Sequence, residues 1–377
     1  MNQKGLTPGE VLSLLDNAGL KNTPYEKVLS AMCTKPHPIA LKAHMQFIES
    51  NLGDSGLFTG TKELEEKVIN IMGDLMGDSQ ACGYITTGGT ESNIQAIRTA
   101  RNLAKKKHPN IVVPVSAHFS FDKIADLLGI EIRKAGLDNQ FRVDTDSVEN
   151  LIDDNTIALV GIAGSTEFGQ IDPIDRLARI ALSNDLFLHI DAAFGGFVIP
   201  FLDKKYDFDF SIKGVSSITI DPHKMGLSTI PAGGLLFKEE SYLFPLEIDT
   251  PYLTIRKQRS LAGTRSGAAV AAAYAVMMHL GREGYKRIVD RCIKMTDTIV
   301  DGVRECGVQP LIDPVMNIIA LDVPDLDEVR KKLRAKGWFT SITRDPSAMR
   351  LVIMPHLSEE ILELFISDIT SEISTLS

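Results

Sequence analysis

Cysteine is scarce in this chain, and its distribution excludes a disulfide scaffold. Cys33, Cys82, Cys292 and Cys306 are the only four, with no CxxC pair and no regular framework. They read as reduced thiols and predict a cytoplasmic protein. Long apolar runs are missing too. The longest, Ala268 to Met278, is mostly alanine and too short to span a bilayer. The first residues lead into a polar helix rather than an apolar secretory segment. Positive charge is in deficit: 40 Lys and Arg against 49 Asp and Glu give a net charge of −9. That balance argues against a general binder of nucleic acid or of anionic membrane. The main basic run, Lys105-Lys106-Lys107-His108, follows a helical pattern and suits a solvated helix C-terminus. There are no repeats or low-complexity tracts, and neither a Walker A loop nor a GxGxxG fingerprint occurs.

What is present is an ordinary globular composition, 44% hydrophobic and 24% charged, in 377 residues, enough for more than one domain. Residues 7–19 predict a helix with Thr7 as N-cap, Pro8 in the first turn and Glu10 closing a capping box. Residues 20–60 carry turn residues and no long period, as expected of an arm lying across its own protein or a partner subunit. A strong helix runs from Thr61 to about Met76. Strands and helices then alternate. Strands are predicted at Ile111–Val115, Ile130–Lys134, Thr156–Ile162, Leu186–Ile190, Ser216–Ile220 and Gly233–Phe237. Helices fall near Glu91–Lys107, His118–Leu128, Asp146–Ile152 and Ile174–Ser183. Such alternation implies an α/β domain with a largely parallel sheet covered on both faces. Near Gly263 the pattern changes to two long helices (about 265–280 and 284–306), then strands at Val315–Leu321, Phe339–Thr343 and Arg350–Met354 and helices at Leu326–Lys336 and Ser358–Ser374. The expected division is an arm (1–60), a large α/β domain (61–262) and a smaller α+β domain (263–377).

The chemistry-bearing residues fall at the carboxyl ends of these strands, where parallel sheets place their ligands. In Thr86-Thr87-Gly88-Gly89-Thr90-Glu91-Ser92-Asn93, two glycines and a hydroxyl open a helix, an anion seat that simple capping explains about as well. His118, in Ser116-Ala117-His118-Phe119-Ser120, can face a ligand or be a satisfied structural histidine. In His189-Ile190-Asp191-Ala192-Ala193-Phe194-Gly195-Gly196 an acid ends an apolar strand, so Asp191 needs a cationic partner. A protonated pyridine nitrogen is one; a metal held with His189 is the rival, but no third ligand has suitable spacing, and no metal is predicted. Lys224, in Ile220-Asp221-Pro222-His223-Lys224-Met225-Gly226, sits after a turn at a strand end, 33 residues (224 − 191) beyond Asp191. A lysine becomes nucleophilic when burial or positive neighbours discourage its ammonium; otherwise it is a surface residue. A phosphate seat, a ring-stacking histidine, an acid for a ring nitrogen and a Schiff-base lysine, in that order, describe pyridoxal 5′-phosphate (PLP), the electron sink of amino-acid chemistry.

The chain resembles group II PLP-dependent amino-acid decarboxylases of the aspartate-aminotransferase fold (fold type I). TTGGTESN, SAHFS, GSTEFGQIDPI, HIDAAFGG and DPHKMG carry the likeness, which runs from Asn51-Leu52-Gly53-Asp54 to Met354-Pro355-His356. The compact archaeal L-tyrosine/L-aspartate decarboxylases are most alike. Their resemblance implies tyramine formation for methanofuran and, in some members, β-alanine for coenzyme A. It implies Lys224 as the cofactor-bearing lysine, His118 stacked on the ring and Asp191 at its nitrogen, beside Ala193. Gly89, Thr90 and His223 would hold phosphate, and Ser165 or Thr166 would lie near the ring hydroxyl. It further implies a homodimer in which Gly263-Thr264-Arg265 of one subunit completes the other's phosphate site. Tyr252, in the loop Phe244–Ser260, is the candidate proton donor, with simple packing the alternative. Arg350, or its competitor Arg344, would hold a substrate carboxylate, although a surface ion pair is the commoner fate of arginine. The chain departs from larger relatives in lacking a long N-terminal extension and in carrying Asp221 three residues before the lysine. Other readings are a sphingosine-phosphate-lyase-like carbon–carbon lyase, a tRNA-dependent cysteine synthase or an inactive cofactor carrier. The acidic balance, the helical setting of Cys292 and Cys306 and the completeness of the Lys224, Asp191 and His118 set weigh against these.

Overall fold

A computed structural model provides the structure, in which residues 1 and 3–375 are described. The main sheet has seven strands: β1 (Cys82–Thr86), β2 (Asn110–Pro114), β3 (Glu131–Ala135), β4 (Thr156–Ile162), β5 (Phe187–Asp191), β6 (Val215–Ile220) and β7 (Gly233–Phe237). Their spatial order is β1-β7-β6-β5-β4-β2-β3. Contacts among β2 to β6 are parallel, while β7 runs antiparallel to both neighbours. Strand β1 therefore points the same way as β6. The carboxyl ends of β1, β2, β4, β5 and β6 meet at one edge.

The helices are α1 (Pro8–Gly19), α2 (Pro38–Gln46), α3 (Thr59–Leu75), α4 (Gly89–Ala104), α5 (Ser120–Leu128), α6 (Thr145–Leu151) and α7 (Ile174–Ser183). Alternate side chains of each strand enter opposite layers, as the two-residue strand period requires. Ile111 and Val113 pack with Ile97, Phe121 and Ile124 under α4 and α5. Val112 instead joins Leu159, Leu188, Leu177 and Met72 on the other face. Every residue of β2, β4, β5, β6 and β7 is buried. A fully buried large side chain contributes about 1.5–3 kcal/mol, which makes these central strands a rigid support for whatever stands at their ends.

Beyond a small hairpin, β8 (Ile248–Asp249) and β9 (Lys257–Gln258), the chain enters α8 (Gly267–Arg304), which breaks at Gly281, φ 56° and ψ −175°. The two helices read from the sequence are thus present, separated by a kink at a backbone conformation that glycine adopts easily. Strands β10 (Gln309–Pro310), β11 (Ile318–Asp322), β12 (Ser341–Ile342) and β13 (Met349–Val352) form an antiparallel sheet ordered β10-β11-β13-β12, backed by α9 (Leu326–Ala335) and α10 (Glu359–Ser374). A large, mostly parallel sheet with a smaller α+β unit is the architecture expected.

One difference stands out. The segment 20–60 contains α2, which buries only Ala40 and Ala43 and carries little periodic signal. The arm lies across its own chain, one of the two courses expected of it. Leu29 donates to Phe339 O at 2.9 Å and accepts from Val352 N at 2.7 Å, and His37 N donates to Leu227 O at 2.9 Å. Helix α1 has the expected capping box between Thr7 and Glu10, but none of its residues is buried. Among the described residues all four cysteines are free, no helix is long and apolar enough to cross a membrane, and no cluster of three metal-ligating side chains occurs.

Candidate active site

The turn from β1 into α4 is held by its own side chains. Glu91 accepts from both the Thr87 amide and hydroxyl at 2.8 Å, and Thr86 and Ser92 share a 2.7 Å hydrogen bond. The two glycines between them leave little room for a side chain, and Gly88 also has a backbone that L side chains rarely adopt. Gly88 has φ 149°, and a Cβ there would lie 3.2 Å from His223 Cε1; one on Gly89 would lie 3.0 Å from Asp221 Oδ2. The backbone at this helix start consequently opens onto free space.

Facing it, Asp191 ends β5 with 8% of its surface exposed. Its Oδ1 accepts from the Ala193 amide at 3.1 Å and its Oδ2 from Asn93 Nδ2 at 2.8 Å. No lysine or arginine among the described residues lies within ion-pair distance of it, so a buried anion stands open to a cation. His118 follows β2. Its Nδ1 accepts from the Ser120 amide at 3.1 Å, and its ring rests 3.9 Å from that of Phe119. Burial lowers the His118 pKa, with Asp191 opposing.

Lys224 follows β6 with its Nζ 3.2 Å from Asp221 Oδ2 and about a fifth of its side chain exposed (20%). Burial alone would lower its pKa, but Asp221 and Asp191 outweigh that and raise it. The sequence had suggested an ammonium discouraged by its surroundings; instead Asp221 holds the charged form. Asp221 is 1% exposed, accepts the Gly89 amide through Oδ2 at 3.1 Å and leaves Oδ1 without a partner. His223 donates through Nδ1 to Ala232 O at 2.5 Å, leaving Nε2 3.9 Å from Asp221.

Lys224, Asp191, His118, Gly89, Thr90, Thr166, Ala193 and His223 all line one cavity of about 310 Å³. The other expected residues do not. Ser165 is turned away, its hydroxyl accepting from the Gln170 amide at 3.1 Å. Arg344 is exposed and paired with Glu167 at 2.6 Å, the surface fate of arginine, so it is no candidate for substrate. Arg350 is buried behind the cavity wall. It donates to the carbonyls of Thr166 and Ser30, to Ser341 Oγ at 2.9 Å and to Met32 Sδ at 2.8 Å. Burial lowers its pKa to about 10, still charged at neutrality. Tyr252 is 86% exposed on the hairpin loop. Gly263 accepts from Gln258 Nε2 at 3.1 Å, and it and Thr264 lie outside this chain's own cavity.

Three further lining residues were not singled out from the sequence, although Asn93 and Ser116 fall within quoted motifs. Met32 arrives from the arm, and Asn93 sits inside α4, where an amide looks like ordinary helix surface. Ser116 has a buried hydroxyl without a partner. His189, read as one half of a rival metal pair, has both ring nitrogens taken, by Ser217 Oγ at 2.7 Å and Asn93 Oδ1 at 3.0 Å.

A glycine cradle at a helix start, an open buried carboxylate and a lysine across one cavity fit a phosphate, a ring cation and an aldehyde respectively. Fold and cavity together define a PLP-dependent enzyme of fold type I. The pyridoxal-dependent decarboxylase conserved domain matches residues 58–315, and the chain belongs to that family. It is 56% identical to the probable L-tyrosine/L-aspartate decarboxylase of Methanosarcina mazei, with all of both chains covered. To the probable L-aspartate decarboxylase of Archaeoglobus fulgidus it is 53% identical, over 92% of this chain and 95% of the other. In structure it resembles the sphingosine-1-phosphate lyase of Burkholderia pseudomallei, with a TM-score of 0.91, 26% identity and coverage of 100% and 92%. The glutamate decarboxylase of Lactobacillus brevis shares the fold at a TM-score of 0.92 and 23% identity, covering 99% and 94%. The protein is a PLP-dependent carboxy-lyase acting on an amino acid.

Proposed function

We propose that the protein decarboxylates L-tyrosine, with L-aspartate as a second substrate. Support comes from the convergence of Lys224, Asp191 and His118 on one cavity and from relatives over half identical whose names carry those two amino acids. When bound, PLP accepts the electron pair left on the substrate Cα as CO2 departs. Lys224 is the amine that carries the cofactor and returns to it after each turnover. Asp191 keeps the ring nitrogen protonated, since its carboxylate favours the charged form of that nitrogen. His118 would cover one ring face. The backbone at Gly89, the Thr90 hydroxyl and His223 would hold phosphate, and Thr166 would lie by the ring hydroxyl.

Arg350 holds the substrate carboxylate. Its guanidinium is buried and charged with only neutral partners, and Met32 and Thr166, which it touches, line the cavity. Such a cation has a large unspent interaction to offer an anion. The remaining groups belong to a homodimer: Tyr252 as proton donor, and Gly263 and Thr264 at the partner's phosphate. Their place outside this chain's own cavity, and the exposed Leu12 and Leu15 of α1, agree with that assembly. Tyramine and β-alanine would then supply methanofuran and coenzyme A synthesis in the cytoplasm.

The deciding experiment is CO2 release by the PLP-loaded protein from tyrosine, aspartate and glutamate. Release from tyrosine, alone or with aspartate, supports the assignment. PLP-loaded protein that releases CO2 from neither refutes it, and cleavage of a phosphorylated amino alcohol would favour the carbon–carbon lyase.

A further inference from the structure

His189 is fully buried, yet it does not line the cavity. Its contacts form a chain that ends on Asp191. Nδ1 meets Ser217 Oγ at 2.7 Å, and Nε2 meets Asn93 Oδ1 at 3.0 Å. Asn93 is 1% exposed and uses its whole amide. Its Oδ1 also accepts from Thr219 Oγ1 at 2.7 Å, while its Nδ2 donates to Ser120 Oγ at 3.1 Å and to Asp191 Oδ2 at 2.8 Å.

The two ends of this chain differ chemically, and that fixes its direction. An ionised Asp191 only accepts, so the Asn93 amino group must face it and the carbonyl must face His189. His189 Nε2 then carries the proton, and Nδ1 accepts from Ser217. Burial, opposed by Asp191, lowers the His189 pKa to about 4, in keeping with a neutral ring holding one proton. Every bond donates toward Asp191.

We propose that Asn93 and His189 are positioning residues that lock the Asp191 carboxylate in a fixed plane toward the cofactor nitrogen. The inference rests on the reading of Asp191 as partner of that nitrogen. With Asn93 on one oxygen and the Ala193 amide on the other, the carboxylate has no free rotation. Because an amide stands between them, Asp191 and His189 cannot share a proton, as a direct histidine–carboxylate contact would allow. The other charged or titratable groups around Asp191 are His118 and Lys224 across the cavity, with Asp221 beside Lys224.

The test uses full-length holoenzyme and two readouts independent of turnover: PLP loss on dilution, and the pH titration of the bound cofactor's absorbance. Asn93→Leu and His189→Leu should each lose PLP about tenfold more readily, the scale on which supporting partners of a ligand-holding group act. Their absorbance transition should move to lower pH, because a less firmly held anion protects the ring proton less. His189→Gln, which can donate at one end and accept at the other, should stay near wild type. If Asn93→Leu does not fold, His189→Leu carries the test from the far end of the chain. PLP retention and titration unchanged in the leucine variants, even with lowered thermal stability, overturn the proposal. Asp191→Ala separates the two failures. If it shifts both readouts and the leucine variants do not, only the positioning role is wrong. If it too changes nothing, the ring-nitrogen reading falls and takes this inference with it.

Discussion

Replacing Asp221 with asparagine should make Lys224 react faster with PLP. Lys224 Nζ and Asp221 Oδ2 are 3.2 Å apart. Coulomb's law at an effective dielectric of about 20 gives about 5 kcal/mol for unit charges at that distance. Lys224 is 20% exposed, and solvent screening leaves roughly half of that. Two to three kcal/mol corresponds to roughly 30- to 150-fold in the balance between ammonium and amine. The sign is definite. Asp221 helps raise the Lys224 pKa, so removing its charge lowers that pKa and increases the free amine at any pH below the wild-type value. Asparagine keeps the shape, and its Oδ1 can still accept the Gly89 amide. Stopped-flow absorbance on mixing apoprotein with PLP should show a rate constant at pH 7 about 30- to 150-fold above wild type, with the whole pH profile displaced to lower pH. A stably folded Asp221→Asn protein whose uptake is no faster, or whose profile moves to higher pH, would refute the electrostatic reasoning.

Arg350→Lys should raise KM roughly 10- to 100-fold with the cofactor absorbance unchanged, because a point charge replaces a guanidinium fork whose charge-assisted hydrogen bonds each contribute about 1.5–3 kcal/mol; Arg344→Ala, which removes an exposed ion pair, should leave steady-state kinetics as they are. Gly88→Ala should weaken PLP binding and lower Tm together, since its φ of 149° and its 3.2 Å approach to His223 oppose a side chain, at a cost of about 1–3 kcal/mol; calorimetry and cofactor titration read the two effects. Asp172 is fully buried, and burial raises its pKa to about 7, against the backbone amides of Val143 and Ile162 that it accepts. A folded-state pKa raised in this way contributes stability that is whole below pH 4 and lost as pH rises through 7. Thermal melts of wild type should therefore fall relative to Asp172→Asn between pH 4 and 7, and parallel curves would contradict the assignment.

Most of the large sheet was legible because its strands are continuous apolar runs punctuated by turn residues. Thr156–Ile162 and Gly233–Phe237 begin and end where expected. The reversed direction of β7 was not, since polarity is set by a long connection and not by side-chain pattern. Helix α2 escaped because a segment that buries two alanines leaves no stripe. At the site, residues at strand ends could be read from the turn chemistry around them. Asn93 could not, because a polar residue within a helix looks solvated until the fold buries it. Asp221 was noted only as a departure, and its grip on Lys224 required the turn to bring two residues three apart within 3.2 Å. Arg350 and Arg344 have the same local character in sequence, and only packing separates a buried cation from a surface pair.

The central claim is that the cofactor is joined to one particular amine in this cavity. Borohydride reduction of the PLP-loaded protein, followed by peptide mapping, tests it most directly. The yellow absorbance should disappear and a single pyridoxyl group should be found on Lys224. A colourless protein that takes up no PLP, or a label on any other lysine, would contradict the account.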